Sequence, residues 1–117
     1  MGYDVFIGCT RGRKYTDTHS GLDLSNPAEK AEYWNYSYEE IGNEDVNSML
    51  DKIIEERIDR SCNKVTLVTH STGANSSLSS ASLNPDLWSS KVSKLINLAP
   101  CLKMDLNNFW LPLQDMM

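Results

Sequence analysis

The first half of the chain has a pattern of apolar and polar positions that predicts one strand, one long loop and one helix. A short apolar run that stops at a glycine predicts a strand over residues 3–8. Residues 9–42 are mostly polar and turn-forming, without a sustained period, so we expect a long surface loop with at most a short helical turn. Apolar residues then recur at helical spacing, which predicts an amphipathic helix over residues 45–60 that lies on a sheet.

The second half predicts two more strands with a helix between them. Residues 64–69 are apolar and rich in β-branched types, which is typical of a buried strand. A short turn at residues 69–73 leads into small and polar residues that predict a close-packed helix over 73–83, and residues 92–98 predict the last strand. Helical connections of this length favour a parallel sheet, with the strand at 64–69 in its centre. The apolar tail at residues 101–117 resembles the start of a further element.

Composition narrows the class of protein. The 117 residues are enough for one modest domain with its own core. The net charge of −5, without a basic cluster, argues against a nucleic-acid partner. No apolar run approaches the ~18 residues that span a bilayer, so we expect no transmembrane segment. The opening residues run straight into the first predicted strand, so we also expect no signal peptide within the chain.

The cysteines and the aromatic residues are best interpreted as structural. Cys9, Cys62 and Cys101 form neither an even disulfide set nor a metal-ligand spacing, so we expect free thiols and no metal site. Residues 32–38 are dense in aromatic types, and we expect Trp34 to attach the long loop to the core rather than to stack on a ligand.

Candidate chemistry centres on the turn that follows the predicted strand at residues 64–69. Ser71 lies at its apex, Gly73 supplies a small residue two positions later, and Thr69 stands two positions before. A serine on a sharp strand-to-helix turn is the arrangement of a nucleophile elbow, which exposes the hydroxyl above the carboxyl edge of the sheet. We therefore favour a nucleophilic role for Ser71 over a turn serine without chemistry.

Blocks of residues spread over nearly the whole chain resemble one known family. In order they are Gly2-Tyr3-Asp4-Val5, Arg11-Gly12, Tyr33-Trp34-Asn35-Tyr36-Ser37-Tyr38-Glu39-Glu40, Asp45, Val68-Thr69-His70-Ser71-Thr72-Gly73, Asn84-Pro85 and Leu98-Ala99-Pro100. Their order and spacing resemble the acid lipases, which include gastric and lysosomal triglyceride and cholesteryl-ester lipases. The resemblance implies the central part of an α/β-hydrolase fold, with three parallel strands and crossover helices, incomplete at both ends.

The resemblance also implies roles for residues of the turn. Ser71 would be the nucleophile, and the backbone N–H of Thr72 would stabilise the oxyanion. The family's elbow usually reads Gly-His-Ser-Gln-Gly, and Thr69, His70 and Gly73 are the other elbow residues here. Thr69 replaces the first glycine and could strain the turn, whereas Thr72 replaces the glutamine without removing the backbone N–H.

The family's triad Asp and His, by the same resemblance, would lie downstream of Pro100 and not in this chain. The two histidines are interpreted as structural: His70 should point away from Ser71, and His19 lies in the long loop. Asp105 has no histidine to orient. The hydroxyl of Ser71 is therefore unactivated in this chain alone, and we expect no turnover by the isolated chain.

The function that the resemblance implies is hydrolysis of a lipid ester, of the triglyceride or sterol ester class, through an acyl-serine intermediate. It would need no cofactor and would involve contact with a lipid interface. One alternative is a non-catalytic lipase-like binding module or a truncated inactive product. Another is an esterase, thioesterase or peptidase on the same fold, since a fold does not choose its substrate. A secreted or lysosomal location would follow only from a signal peptide upstream in a longer product.

Overall fold

The computed structural model of the chain describes residues 2–58, 60–61 and 63–101. Three of the predictions lie outside the described residues: the free thiol of Cys62, the interpretation of Asp105, and the tail beyond Cys101.

Helices occupy more of the first half than the sequence pattern predicted. Helix α1 covers Pro27–Tyr33, within the predicted loop. Helix α2 (Tyr38–Glu40) continues through a π-helical segment (Ile41–Val46) into helix α3 (Asn47–Glu56), so the run begins seven residues before the predicted start at residue 45. Ser37 and Glu40 cause the early start, because they form a reciprocal capping box that satisfies the free amides of the first turn.

The second half forms a parallel two-stranded sheet with helices in the crossover. Strand β1 (Val65–His70) leads into helix α4 (Thr72–Leu83), helix α5 (Pro85–Lys91) and strand β2 (Val92–Leu98). The strands pair in parallel from Val65 opposite Val92 to His70 opposite Leu98. Ser93 is an extra residue in this ladder, and its hydroxyl donates to the carbonyl of Val65 at 3.0 Å.

The first of the three predicted strands, over residues 3–8, is not formed. These residues have no strand pairing, and Tyr3 and Ile7 are 95% and 92% exposed. Two contacts draw the segment toward α3 instead of the free edge of β1. The Asp4 carboxylate accepts the N–H of Ile58 at 2.8 Å, and Gly8 lies directly against the sulfur of Met49. The described sheet therefore has two strands, and β1 is not central.

The serine-rich helix α4 packs against the π-helical segment. Ser76, Ser77 and Ser80 are buried, and a Cβ placed on Gly42 would lie 2.9 Å from the backbone of both Ser76 and Ser80. Small residues on both sides let the two backbones approach this closely. The serines thus allow helix-to-helix contact, whereas the sequence suggested only contact between the helix and its preceding strand.

A chain of polar contacts crosses this interior. The indole N–H of Trp88 donates to the Ser80 hydroxyl at 2.7 Å, and that hydroxyl donates to the side-chain oxygen of Asn47 at 2.8 Å. Leu50, 1% exposed, forms the apolar core with Val46 and Trp88. Buried polar groups cost free energy unless they are hydrogen-bonded. These bonds therefore offset the cost of burying the Ser80 hydroxyl and the Trp88 indole N–H beside the apolar core.

The two faces of the sheet differ. Val65, Leu67 and Leu95 pack on the core, while Val68 and Leu98 on the opposite face are 58% and 50% exposed. In the part of the chain that is described, no helix has the length and apolarity needed to cross a membrane.

Candidate functional site

The turn between β1 and α4 holds Ser71 in an uncommon backbone conformation. Ser71 has φ 51° and ψ −119°, in the left-handed half of the φ range, which a residue with a side chain rarely adopts. Its N–H donates to the carbonyl of Leu98 at 3.0 Å, so the turn is bonded to the end of β2. Strained backbone persists only where the surroundings hold it, and it concentrates at functional sites.

The residues two positions either side of Ser71 fit together without overlap. A Cβ placed on Gly73 would lie 3.9 Å from the Cβ of Thr69, which is ordinary van der Waals contact. The Thr69 hydroxyl donates to the side-chain oxygen of Asn97, its pairing partner on β2, at 2.5 Å. The Thr69 side chain therefore bonds across the sheet and does not crowd Gly73.

Helix α4 begins directly after Ser71 and directs its first amides toward the turn. Amides in the first turn of a helix have no acceptor within the helix, and the helix dipole makes this end favourable for negative charge. The backbone N–H of Thr72 is the first of these amides. Ser71 is exposed, and no described side chain hydrogen-bonds to its hydroxyl. The turn thus presents an unengaged hydroxyl beside anion-favouring amides.

An apolar cleft of about 590 Å³ opens beside this turn. We call it the apolar cleft; it lies between the segment of residues 6–10, helix α3 and the free edge of β1. Its lining is mainly apolar but also contains two charged side chains, and it comprises Phe6, Ile7, Gly8, Cys9, Thr10, Arg13, Val46, Met49, Leu50, Lys52, Ile53, Leu67, Val68, Thr69, His70, Ser71, Thr72, Gly73 and Ser77. Residues 6–8 line this cleft and have no strand pairing with β1. A hydroxyl at the rim of an apolar cleft suits the ester group of a largely apolar molecule.

The histidines do not engage Ser71 in the described structure. His70 is exposed and lines the apolar cleft, and no hydrogen bond joins it to Ser71. His19 accepts the N–H of Gly21 at its Nδ1, 3.0 Å away, and its ring meets the edge of Tyr33 with 6.2 Å between centroids. His19 lines a different cleft, which shares no residue with the first.

This second cleft, of about 520 Å³, is polar, and we call it the polar cleft. Its lining comprises Arg11, Thr18, His19, Leu22, Glu32, Tyr33, Asn35, Tyr36, Glu40, Glu44 and Asp45. Most of its charged groups are engaged. The guanidinium of Arg11 donates to Asp45 and Glu44, and the backbone N–H of Arg11 also donates to Asp45 at 2.7 Å. These hydrogen bonds raise the pKa of Arg11, so its charge is fixed at every accessible pH.

Aromatic rings close the other side of the polar cleft. Tyr33 is buried, accepts the N–H of Gly12 at 3.1 Å and donates to the carbonyl of Thr16 at 2.8 Å. Trp34 stacks on Tyr36 and stays half exposed, so Tyr33 and not Trp34 attaches the loop, contrary to the sequence interpretation. Partial burial raises the pKa of the Tyr36 hydroxyl.

Sequence reasoning had no local signal for the Arg11–Asp45 contact. The two residues are 34 positions apart, and only their presence in the lipase-like blocks singled them out. No cluster of His, Cys, Asp and Glu suited to a metal ion occurs among residues 2–58, 60–61 and 63–101. The thiols of Cys9 and Cys101 are free and exposed.

Comparison with curated proteins gives consistent results over most of the chain. A probable lipase of Schizosaccharomyces pombe is 32% identical over 99 residues, which is 85% of this chain and 20% of that protein. Lipase member K of Homo sapiens is 31% identical over 99 residues, covering 23% of its length, and lipase 1 of Drosophila melanogaster is 30% identical over 100 residues. This chain is related to lipases.

The lipase-related chain spans about a fifth of the length of the curated relatives it matches. No family model matches it, and no solved structure matches it. The resemblance predicted from the sequence blocks is confirmed at the level of lipases, and the relation is to part of a lipase.

Proposed function

We propose that this chain carries the nucleophile segment of a serine hydrolase that cleaves lipid esters. The observation that carries the proposal is the conformation of Ser71. It is a non-glycine residue with φ 51° between a strand and a helix, it lines the apolar cleft, and no described side chain hydrogen-bonds to its hydroxyl. Relatives named lipases support the same chemistry.

The reaction would follow the acyl-serine route. Ser71 Oγ attacks the carbonyl carbon of the ester as a base removes its proton, and the N–H of Thr72 stabilises the resulting oxyanion. Collapse of this intermediate breaks the bond to the alcohol, which leaves with a proton. Water then attacks the acyl-serine, releases the carboxylic acid and restores the hydroxyl. The apolar cleft would hold the acyl chain, and the substrate would be of the triglyceride or sterol ester class.

The general base and its carboxylate partner would come from residues outside these 117. His19 lies in the polar cleft, away from Ser71, and His70 lines the same cleft as Ser71 but makes no hydrogen bond to it, so we assign the base to neither. The same observation favours one alternative function. A lipase-like module without a base would bind an apolar ligand in the cleft without cleaving it.

Labelling by a fluorophosphonate separates the two functions. The isolated chain should label negligibly, because its serine is an ordinary alcohol without a base. In a chimera, residues 2–101 replace the matching segment of lipase member K, whose remaining sequence is expected to supply the base. This chimera should label at Ser71, Ser71→Ala should abolish the labelling, and Ser82→Ala on the exposed side of α4 should not.

Each contrary result has a defined meaning. A folded chimera that does not label would favour the binding module. Strong labelling of the isolated chain would show that one of its two histidines reaches Ser71. Labelling that survives Ser71→Ala would place the nucleophile elsewhere.

A further inference from the structure

The end of β2 is bonded to Ser71, and the segment that follows β2 is bonded to the first turn of α4. The N–H of Ser71 donates to the carbonyl of Leu98 at 3.0 Å, and the N–H of Cys101 donates to the side-chain oxygen of Asn75 at 3.0 Å. Asn75 lies on the first turn of α4, four residues after Ser71. Its own backbone N–H donates to the carbonyl of Ser71 at 3.3 Å. One residue therefore contacts the turn through its backbone and the segment after β2 through its side chain.

The backbone conformations of Ser71 and of Ala99, the residue after β2, both need a restraint. Ser71 and Ala99 have φ values of 51° and 48°, and they are the non-glycine residues with positive φ in the described structure. A residue with a side chain keeps this conformation only where its surroundings determine it. Ala99 bends the chain directly after β2, and two residues later the N–H of Cys101 donates to Asn75.

We propose that Asn75 is a positioning residue for Ser71. Its side-chain oxygen holds the segment of residues 99–101 against the first turn of α4, and this segment in turn fixes the carbonyl of Leu98 that receives the N–H of Ser71. This inference rests on the proposed function, because positioning matters only if the Ser71 hydroxyl and the Thr72 amide act on a substrate.

Amide hydrogen exchange in the full 117-residue chain tests the restraint directly. Asn75→Ala removes the acceptor and should speed exchange of the Cys101 and Ser71 amides by about tenfold, the factor that loss of one hydrogen bond allows. Asn75→Asp keeps an acceptor oxygen in the same place and should preserve protection at both amides. Asn84→Ala is the matched control, since it removes the bond from Asn84 to Asn43 at the other end of α4.

A second measurement uses acylation of Ser71 by a p-nitrophenyl ester, with imidazole supplied as the base. Asn75→Ala should slow this acylation about tenfold relative to the native chain, and Asn84→Ala should leave the rate unchanged. If the folded chimera with lipase member K does not label at Ser71, the proposed function fails, while the exchange measurement in the 117-residue chain still decides whether Asn75 holds the turn.

Three results would overturn the positioning role. Unchanged exchange at Cys101 in Asn75→Ala would show that the bond does not hold the segment. Faster exchange at Cys101 with unchanged exchange at Ser71 would show that the segment does not restrain the turn. Equal loss of protection in Asn84→Ala would mean that the effect comes from general destabilisation of α4.

Discussion

The two clefts of this chain differ in polarity and in how far their polar groups are already hydrogen-bonded. This comparison indicates which cleft is suited to bind a ligand. In the polar cleft, Arg11 and Asp45 bond to each other and Tyr33 bonds to two backbone groups. In the apolar cleft, the Ser71 hydroxyl has no described side-chain partner, and the lining is mostly hydrocarbon. Polar groups that already hydrogen-bond to one another stabilise the fold, whereas a hydroxyl without such a partner can bond to another molecule.

The same contrast appears between Gly12, beside the polar cleft, and Gly73, next to the turn of Ser71. A Cβ on Gly12, beside the polar cleft, would lie 2.0 Å from the hydroxyl of Tyr36 and 2.8 Å from the ring of Trp34. A Cβ on Gly73, in the lining of the apolar cleft, would meet nothing closer than 3.9 Å. We therefore expect substitutions around the polar cleft to affect stability and those around Ser71 to affect chemistry.

The largest expected effect is that of Gly12→Ala. Gly12 has φ 69°, so alanine would be strained there, and its methyl group would also displace Tyr36. Strain and overpacking each cost about 1–3 kcal/mol, so we expect a loss of about 2–4 kcal/mol in the free energy of unfolding, measured by urea denaturation. Gly21→Ala is the control, because its nearest contact is an ordinary 3.7 Å. Equal stability of the two variants would contradict the packing of this cleft.

The ion pair gives the next largest effect. The Asp45 side chain is 11% exposed and bonds to both the backbone and the guanidinium of Arg11, whereas Glu44 is 61% exposed. Asp45→Ala should cost about 1–3 kcal/mol because it leaves the partly buried Arg11 without its main acceptor. Glu44→Ala should cost less than about 1 kcal/mol, as for most surface pairs. Thermal or urea unfolding of the two variants measures these losses. If Glu44 were the main partner of Arg11, Glu44→Ala would cost more than Asp45→Ala.

The polar cleft also contributes a pH dependence through Glu40. Hydrogen bonds from Ser37 lower the pKa of this carboxyl below its usual 4.5. A lowered pKa means that the stabilisation is fully present above about pH 4.5 and is lost as the pH falls through the folded-state value. Glu40→Gln should therefore flatten the decline in unfolding free energy between about pH 5 and about pH 3. Identical profiles for the two proteins would show that the capping box does not contribute.

These contrasts also show how far the sequence could predict this structure. Local patterns were informative where an element depends on its own residues, as in the two apolar runs around β1 and β2 and the turn at Ser71. The strand at residues 3–8 was not formed because strands require a partner, and contacts with Ile58 and Met49 hold this segment elsewhere. The start of α2 was present in the sequence as the Ser37 and Glu40 capping pattern, but the interpretation overlooked it.

The placement of Ser71 in the fold was predictable to a similar degree. The position of Ser71 between a strand and a helix follows from local sequence, since an apolar run that ends in small residues can be recognised locally. Contacts between distant residues leave no such signal. The bond from Cys101 to Asn75, 26 positions apart, and the separation of His19 from Ser71 into different clefts depend on how the whole chain packs.

The smallest expected effect, and the sharpest test of the comparison, is that of Gly73→Ala. Lipase-like elbows are expected to need a small residue here, yet the methyl group would lie 3.9 Å from Thr69 and Gly73 does not have a positive φ. Alanine is favoured over glycine in a helix by up to about 1 kcal/mol, so the free energy of unfolding should stay the same or rise slightly. Urea denaturation measures this, and Ala74→Gly, at the buried neighbour on the same helix, is the matched reverse change and should destabilise the chain. A loss of more than about 1 kcal/mol in Gly73→Ala would mean that the turn at Ser71 is as tightly packed as the polar cleft.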